Sequence, residues 1–308
     1  MPDLLSKEGF EKASDFLLHS ARGLERAIYK YRFRGETSDK ILTELKHYQN
    51  PDGGFGHGLG PDLRCPLSTP IATTQAFQKL AELDRSEVPP GLVREGIGYF
   101  EESFNTEQNR WFSARKEVND YPHAPWWHYD EELAGTVIDQ SWGNPTAEII
   151  GYLLVYDEFV EKTDAEKLLK QAFRKLNNSK EYDSEHEIYC YLRLYRALPS
   201  RFSEKVREQL TAAVRNLVRS EASEWTSYVP TPLDFVKSPK EYRFGIDDGL
   251  LDANLNYLVE QLETNGTIEP TWEWGQYEED WESAKQEWTG ILTLEALTLL
   301  EEFDRIRD

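Results

Sequence analysis

The chain has 308 residues, enough for one large domain or two ordinary ones, and its 39% hydrophobic and 13% aromatic content suffices for a substantial core. Asp and Glu outnumber Lys and Arg by 56 to 35, a formal net charge of −21, which argues against a nucleic-acid partner or an anionic membrane surface. No run of about eighteen apolar residues marks a membrane span. The N-terminus, MPDLLSKEGFEKASDF, lacks the basic-then-apolar order of a secretory signal. The two cysteines, Cys65 and Cys190, form no motif, so a reducing, cytoplasmic setting is expected.

In chain order, residues 8–32 predict a first helix, with Phe10, Ala13, Phe16, Leu17, Ala21, Leu24 and Ile28 at a period near 3.6. Residues 39–48 predict a second, which Asn50-Pro51-Asp52-Gly53-Gly54 must end because Pro51 and the paired glycines break helices. Phe55 then offers a ring to fold back between helices, and from Pro70 the residues Ile71, Thr74, Phe77 and Leu80 restore one apolar face. After Pro89-Pro90 a helix over 91–104 runs into FNTEQNRWF, where Trp111 takes the place of Phe55. An irregular stretch, 112–144, holds YPHAPWWHYDEE, and helix resumes at Pro145. Helices over 164–178 and 185–198 make a third hairpin, and 203–221 leads into another long aromatic stretch. A helix over 250–263 ends in Gln261 and an Asn265-Gly266 turn before EWTGILTLEALTLLEEF. Helix follows helix with no period-2 run, so the fold class is all-α, and self-similarity over tens of residues marks a repeat architecture.

A helix ending in Gln49, then Asp52, Gly53, Gly54, Phe55 and Gly56, then Thr73, Thr74, Ala76 and Leu80, resembles the repeat of the terpenoid cyclase and protein prenyltransferase superfamily. Gln261, Asn265, Gly266 and Trp272, with Thr293, Ala296 and Leu299, look similar. The resemblance implies an α/α toroid, one domain over 1–308 with inner and outer rings of helices around an apolar cavity. It also implies isoprenoid chemistry, although fold alone does not assign function. The zinc site of the prenyltransferases is dispersed, whereas His57, Asp62 and Cys65 share one loop here, so zinc is not expected. The cyclase acid Asp-x-Asp-Asp is matched in three of four letters by Gly245-Ile246-Asp247-Asp248, although Asp248 reads more simply as a helix N-cap. Asp247, Asp248 and Asp252 also form a loose DDxxxD magnesium–diphosphate pattern, with no second metal motif beside it. No cofactor is therefore expected.

In such a ring the outer-to-inner connections, 49–69, 105–145, 178–185, 222–246 and 264–289, lie at one end. They contain all nine tryptophans together with His57, His123 and His128, and long aromatic connections of this kind point to function. The expected catalytic groups are His123, fixed between Pro122 and Pro125, and Asp62, Asp247 and Asp248. The expected binding groups are His57, Arg64, Trp126, Trp127, His186, Trp274 and Glu287. Against these stand plainer roles: Asp62 and Arg64 pairing to hold the loop, and Glu148 complementing a helix dipole. Three readings remain: an isoprenoid-handling enzyme, a carbohydrate-active enzyme with paired carboxylates, and a non-catalytic binding or scaffold protein. The expected partner is a small apolar or sugar ligand.

Overall fold

A computed structural model describes residues 3–179 and 182–307. Of the expected connection 178–185, Lys180 and Glu181 lie outside the described residues. The chain is all-α. Twelve α-helices are seen among the described residues: α1 (Lys7–His19), α2 (Gly23–Arg34), α3 (Asp39–Lys46), α4 (Pro70–Ala81), α5 (Pro90–Glu102), α6 (Gly143–Val155), α7 (Ala165–Asn178), α8 (Glu185–Ala197), α9 (Glu204–Leu217), α10 (Pro232–Phe235), α11 (Asp248–Asn265) and α12 (Glu278–Glu302). Isolated bridges take the place of strands in those residues, and none of the helices is long and apolar enough to cross a membrane.

The chain divides into two compact units. The first holds the described residues through Glu44, then Val214–Glu273, then those from Glu278 onward. In it α1 packs against α2, α11 and α12. Ser6 caps α1 by accepting from the Gly9 N–H, and the Tyr29 hydroxyl reaches Ser14 across α1 and α2 at 2.7 Å. The second unit is Leu45–Ala213 with Trp274–Tyr277. Its centre is α6, buried on all sides and packed against α8, α7 and α4. Phe77, Phe100, Tyr152 and Tyr156 interlock their rings at 5.0–6.4 Å around it.

One contact recurs between turn and following helix. The Phe55 N–H donates to Thr73 Oγ1 at 3.0 Å, the Trp111 N–H to Thr146 Oγ1 at 3.1 Å, and the Ile268 N–H to Thr293 Oγ1 at 2.9 Å. Antiparallel bridges close the turns before Phe55 and Trp111, pairing Gln49 with Phe55 and Asn105 with Arg110. Each threonine satisfies a backbone donor left orphaned where the chain folds back. Trp111 thus occupies the place of Phe55, but in the last repeat that place belongs to Ile268. Trp272 instead sits edge-to-face with Tyr228 and Trp288. Thr73→Val keeps the side-chain shape and removes the acceptor for a buried N–H, so chemical denaturation should show a loss of about 1–3 kcal/mol. An unchanged midpoint would dismiss the threonine as a repeat-defining group.

Several boundaries differ from the sequence expectation. The stretch 8–32 is two helices, because the chain breaks at Ser20–Arg22. The last helix begins at Glu278, so Trp281 and Trp288 ride on α12 and not in a connection. Trp142 stands at the N-cap of α6. The cap of α11 is Asp247, which accepts from the Leu250 N–H at 2.8 Å, one residue before the expected Asp248.

Candidate functional site

Three segments of the second unit meet around His123. Residues 57–65 and 121–128 run antiparallel, bridged at Leu63 and His123, with the Ala124 N–H on the Asp62 carbonyl and the Arg64 N–H on the Pro122 carbonyl. The segment Trp274–Tyr277 lies on both. Its indole donates to Asp62 Oδ1 at 2.7 Å, and Gln276 Nε2 donates to the His123 carbonyl at 2.7 Å. Asp62, His123 and Trp274 are all buried. The Tyr121 carbonyl only accepts, so His123 Nδ1, 2.6 Å away, carries a proton, and Nε2 faces Nδ1 of exposed His128 at 3.3 Å. The two ring centroids are 5.5 Å apart, about the N···N distance plus a ring radius at each end. The rings therefore meet edge to edge along the N···N line. A metal shared by both nitrogens needs lone pairs converging at an angle, whereas an in-line approach accommodates a single proton. The pair is a hydrogen bond reaching from the surface to a buried imidazole, with Tyr277 beside it at 5.7 Å.

Asp62, His123 and Trp274 are thus brought together. Trp126 and Trp127 lie half-buried in the same segment, Trp127 against the small core of Leu63, Cys65, Ala114 and Val118. His57 is exposed with Nε2 2.9 Å from Asn50 Oδ1, and Arg64 passes over Gly58. The remaining residues sit elsewhere. His186 faces Glu185 at 3.8 Å and Tyr189 edge-on. Asp247 and Asp248 belong to the first unit, where Asp247 caps α11 and exposed Asp248 pairs with Arg243 at 3.2 Å. Glu287, in the same unit, pairs with Arg22 at 3.6 Å.

Two polar clusters of the second unit go beyond the sequence reading, which gave Glu148 only a helix-dipole role. Glu148, on α6, is buried and accepts from Gln78 (2.8 Å) and Tyr152 (2.6 Å) with one oxygen and from Arg193 (3.1 Å) with the other. Burial, then the Glu148 charge, push the Tyr152 hydroxyl and the neighbouring Cys190 thiol well above their ordinary ranges, so neither ionises near neutrality. Glu187, on α8, accepts from the Gly143 N–H at 2.6 Å and lines a groove of about 360 Å³ with Trp142, Arg174, Lys175, Tyr182 and Tyr191.

No family model, curated protein or solved structure matches the chain.

Burial raises the Glu187 carboxyl above the ordinary range, against the pull of the Gly143 N–H, Lys175 and Arg110. A carboxyl that ionises more readily once unfolded leaves the folded state holding more protons, so stability falls as pH rises from the ordinary glutamate range through the raised value. Glu187→Gln should remove that decline, leaving a melting temperature above wild type at neutral pH and near it at pH 4. A variant whose profile still tracks wild type would locate the decline elsewhere.

Proposed function

We propose that this protein is a non-catalytic ligand-binding member of the helical-repeat design seen in terpenoid cyclases and prenyltransferases, an α/α toroid whose ligand is a small apolar molecule of the isoprenoid class. The observation that carries the reading is the employment of Asp62. Its carboxyl accepts the buried Trp274 indole N–H at 2.7 Å, so it is engaged in anchoring the 274–277 segment. Asp247 and Asp248 are likewise engaged, one as a helix cap and one with Arg243. The recurring threonine contact supports the repeat kinship, and the toroid follows from that kinship.

A carbohydrate ligand is the second reading. It is favoured by the edge-to-face group Tyr228, Trp272 and Trp288, in which the Trp272 indole nitrogen is buried with no partner among the described residues. A sugar hydroxyl would complete it.

The test is a thermal-shift screen with prenyl diphosphates and oligosaccharides, run alongside product analysis. A ligand at a hundred times its Kd adds about 2.7 kcal/mol of apparent stability. Stabilisation by a prenyl compound without turnover is the expected result, in wild type and in His123→Ala alike. Product formation that disappears in His123→Ala or Asp62→Asn while binding persists would overturn the non-catalytic reading.

A further inference from the structure

We propose that the groove between α7 and α8 is a binding site for a small organic anion, whose acid group is held by Lys175 and Arg174 while its apolar body lies against Trp142 and Tyr182. The first support is shape. About 360 Å³ falls within the range of small-molecule pockets, and the walls combine aromatic side chains with a few converging polar groups. The second is charge. The sequence of α7, AEKLLKQAFRKLNN, carries Lys167, Lys170, Arg174 and Lys175 against Glu166 alone, a local reversal in a chain of formal net charge −21.

The third support is how those cations are deployed. Some exposed cations find carboxylates, as Arg201 does with Glu166 and Arg85 with Glu158. Lys175 instead holds its ammonium 5.2 Å from the ring centre of Trp142. Arg174 bonds its own helix through Nε to the Lys170 carbonyl, and its side chain lines the groove. The indole of Trp142 is fixed by its N–H on the Asn109 carbonyl at 3.2 Å. An anion arriving between the two cations therefore meets positive charge that is already positioned, beside a rigid aromatic wall.

Glu187 completes the site. Its Oε1 is held by the Gly143 N–H, and the groups facing it are Lys175 from α7, Arg110 from the 105–110 turn, Trp142 and Gly143 at the start of α6, and Tyr191 and Cys190 on its own helix. Burial favours its neutral form, which donates a hydrogen bond to an anion, whereas the ionised form repels it. Affinity for the anion accordingly falls as pH rises through the Glu187 titration.

A carboxylate and a phosphate ester share this chemistry, and a calorimetric titration of the full chain with benzoate, phenyl phosphate and benzyl alcohol separates them. Binding of either anion, with benzyl alcohol about tenfold weaker or more, is the expected result, and the preferred anion names the source. Lys175→Glu and Arg174→Glu alter exposed side chains, so both should keep a wild-type far-ultraviolet circular dichroism spectrum while anion affinity drops about tenfold or more. Glu187→Gln should flatten the pH dependence of binding while retaining affinity. Absence of binding by both anions, equal binding of the alcohol, or charge reversals without effect on affinity would each overturn the assignment.

Discussion

Gly53→Ala is expected to destabilise the second unit by about 2–4 kcal/mol, from positive-φ strain combined with a backbone clash. Gly53 has φ +86°, and a Cβ there would stand 2.3 Å from the Glu95 carbonyl oxygen on α5. Backbone cannot swing aside as a side chain can, so either α5 or the turn must shift. The turn has little freedom to do so. Asn50 accepts the Gly53 N–H on its carbonyl and donates through its side chain to Pro66 and Ser68, while Asp52 Oδ1 holds the Gly54 N–H and the Ser68 hydroxyl. Gly58→Ala is the matched control. Its φ is also left-handed, at +72°, but the nearest obstacle is the Arg64 guanidinium at 3.3 Å, the far end of a flexible side chain. It should cost about 1 kcal/mol, the left-handed penalty alone. Urea unfolding of the two variants decides the matter, and equal losses would show that the approach to α5 carries no weight.

Glu148→Ala should cost about 3 kcal/mol, since it removes the common acceptor of three donors in the interior of the second unit. The Tyr152 hydroxyl and Gln78 amide would lose a bond each, and the volume left by the side chain would add a cavity penalty. Arg193 softens the loss, because its side chain is 37% exposed and can turn to water. Glu148→Gln keeps an acceptor for Tyr152 and exchanges the ion pair with Arg193 for a neutral contact, so a smaller loss of about 1–2 kcal/mol is expected. Denaturant midpoints measured with both variants would reject this account if alanine proved no worse than glutamine. Cys190 supplies an independent probe. With Glu148 gone, thiol alkylation should accelerate only to the extent that α6 and α8 part, since burial leads the upward shift of the thiol.

The helical class and the Gly53 turn were legible in the sequence because both rest on local chemistry: apolar period, helix breakers and caps. The split of 8–32 was not. Its apolar period runs unbroken through Ala21 and Leu24, across the break that the chain makes at Ser20–Arg22. In the last repeat, Trp272 looked like the counterpart of Phe55 by residue type, whereas backbone geometry assigns that place to Ile268. The partnership of Asp62 with Trp274 joins residues 212 apart, a separation that periodicity and motif spacing do not reach. The anion groove could have been noticed. Four cations in fourteen residues are plain in the sequence of α7, but a net charge summed over the whole chain conceals them.

The four-residue visit of Trp274–Tyr277 to the second unit governs how the protein can be dissected. A gene fragment encoding 45–213 omits the indole that Asp62 binds and the amide that holds the His123 carbonyl. Expressed alone, such a fragment would expose the 57–65 and 121–128 loops where that clasp belongs. A faithful excised version needs those four residues supplied in trans as a peptide, or grafted behind Ala213 through a flexible tether.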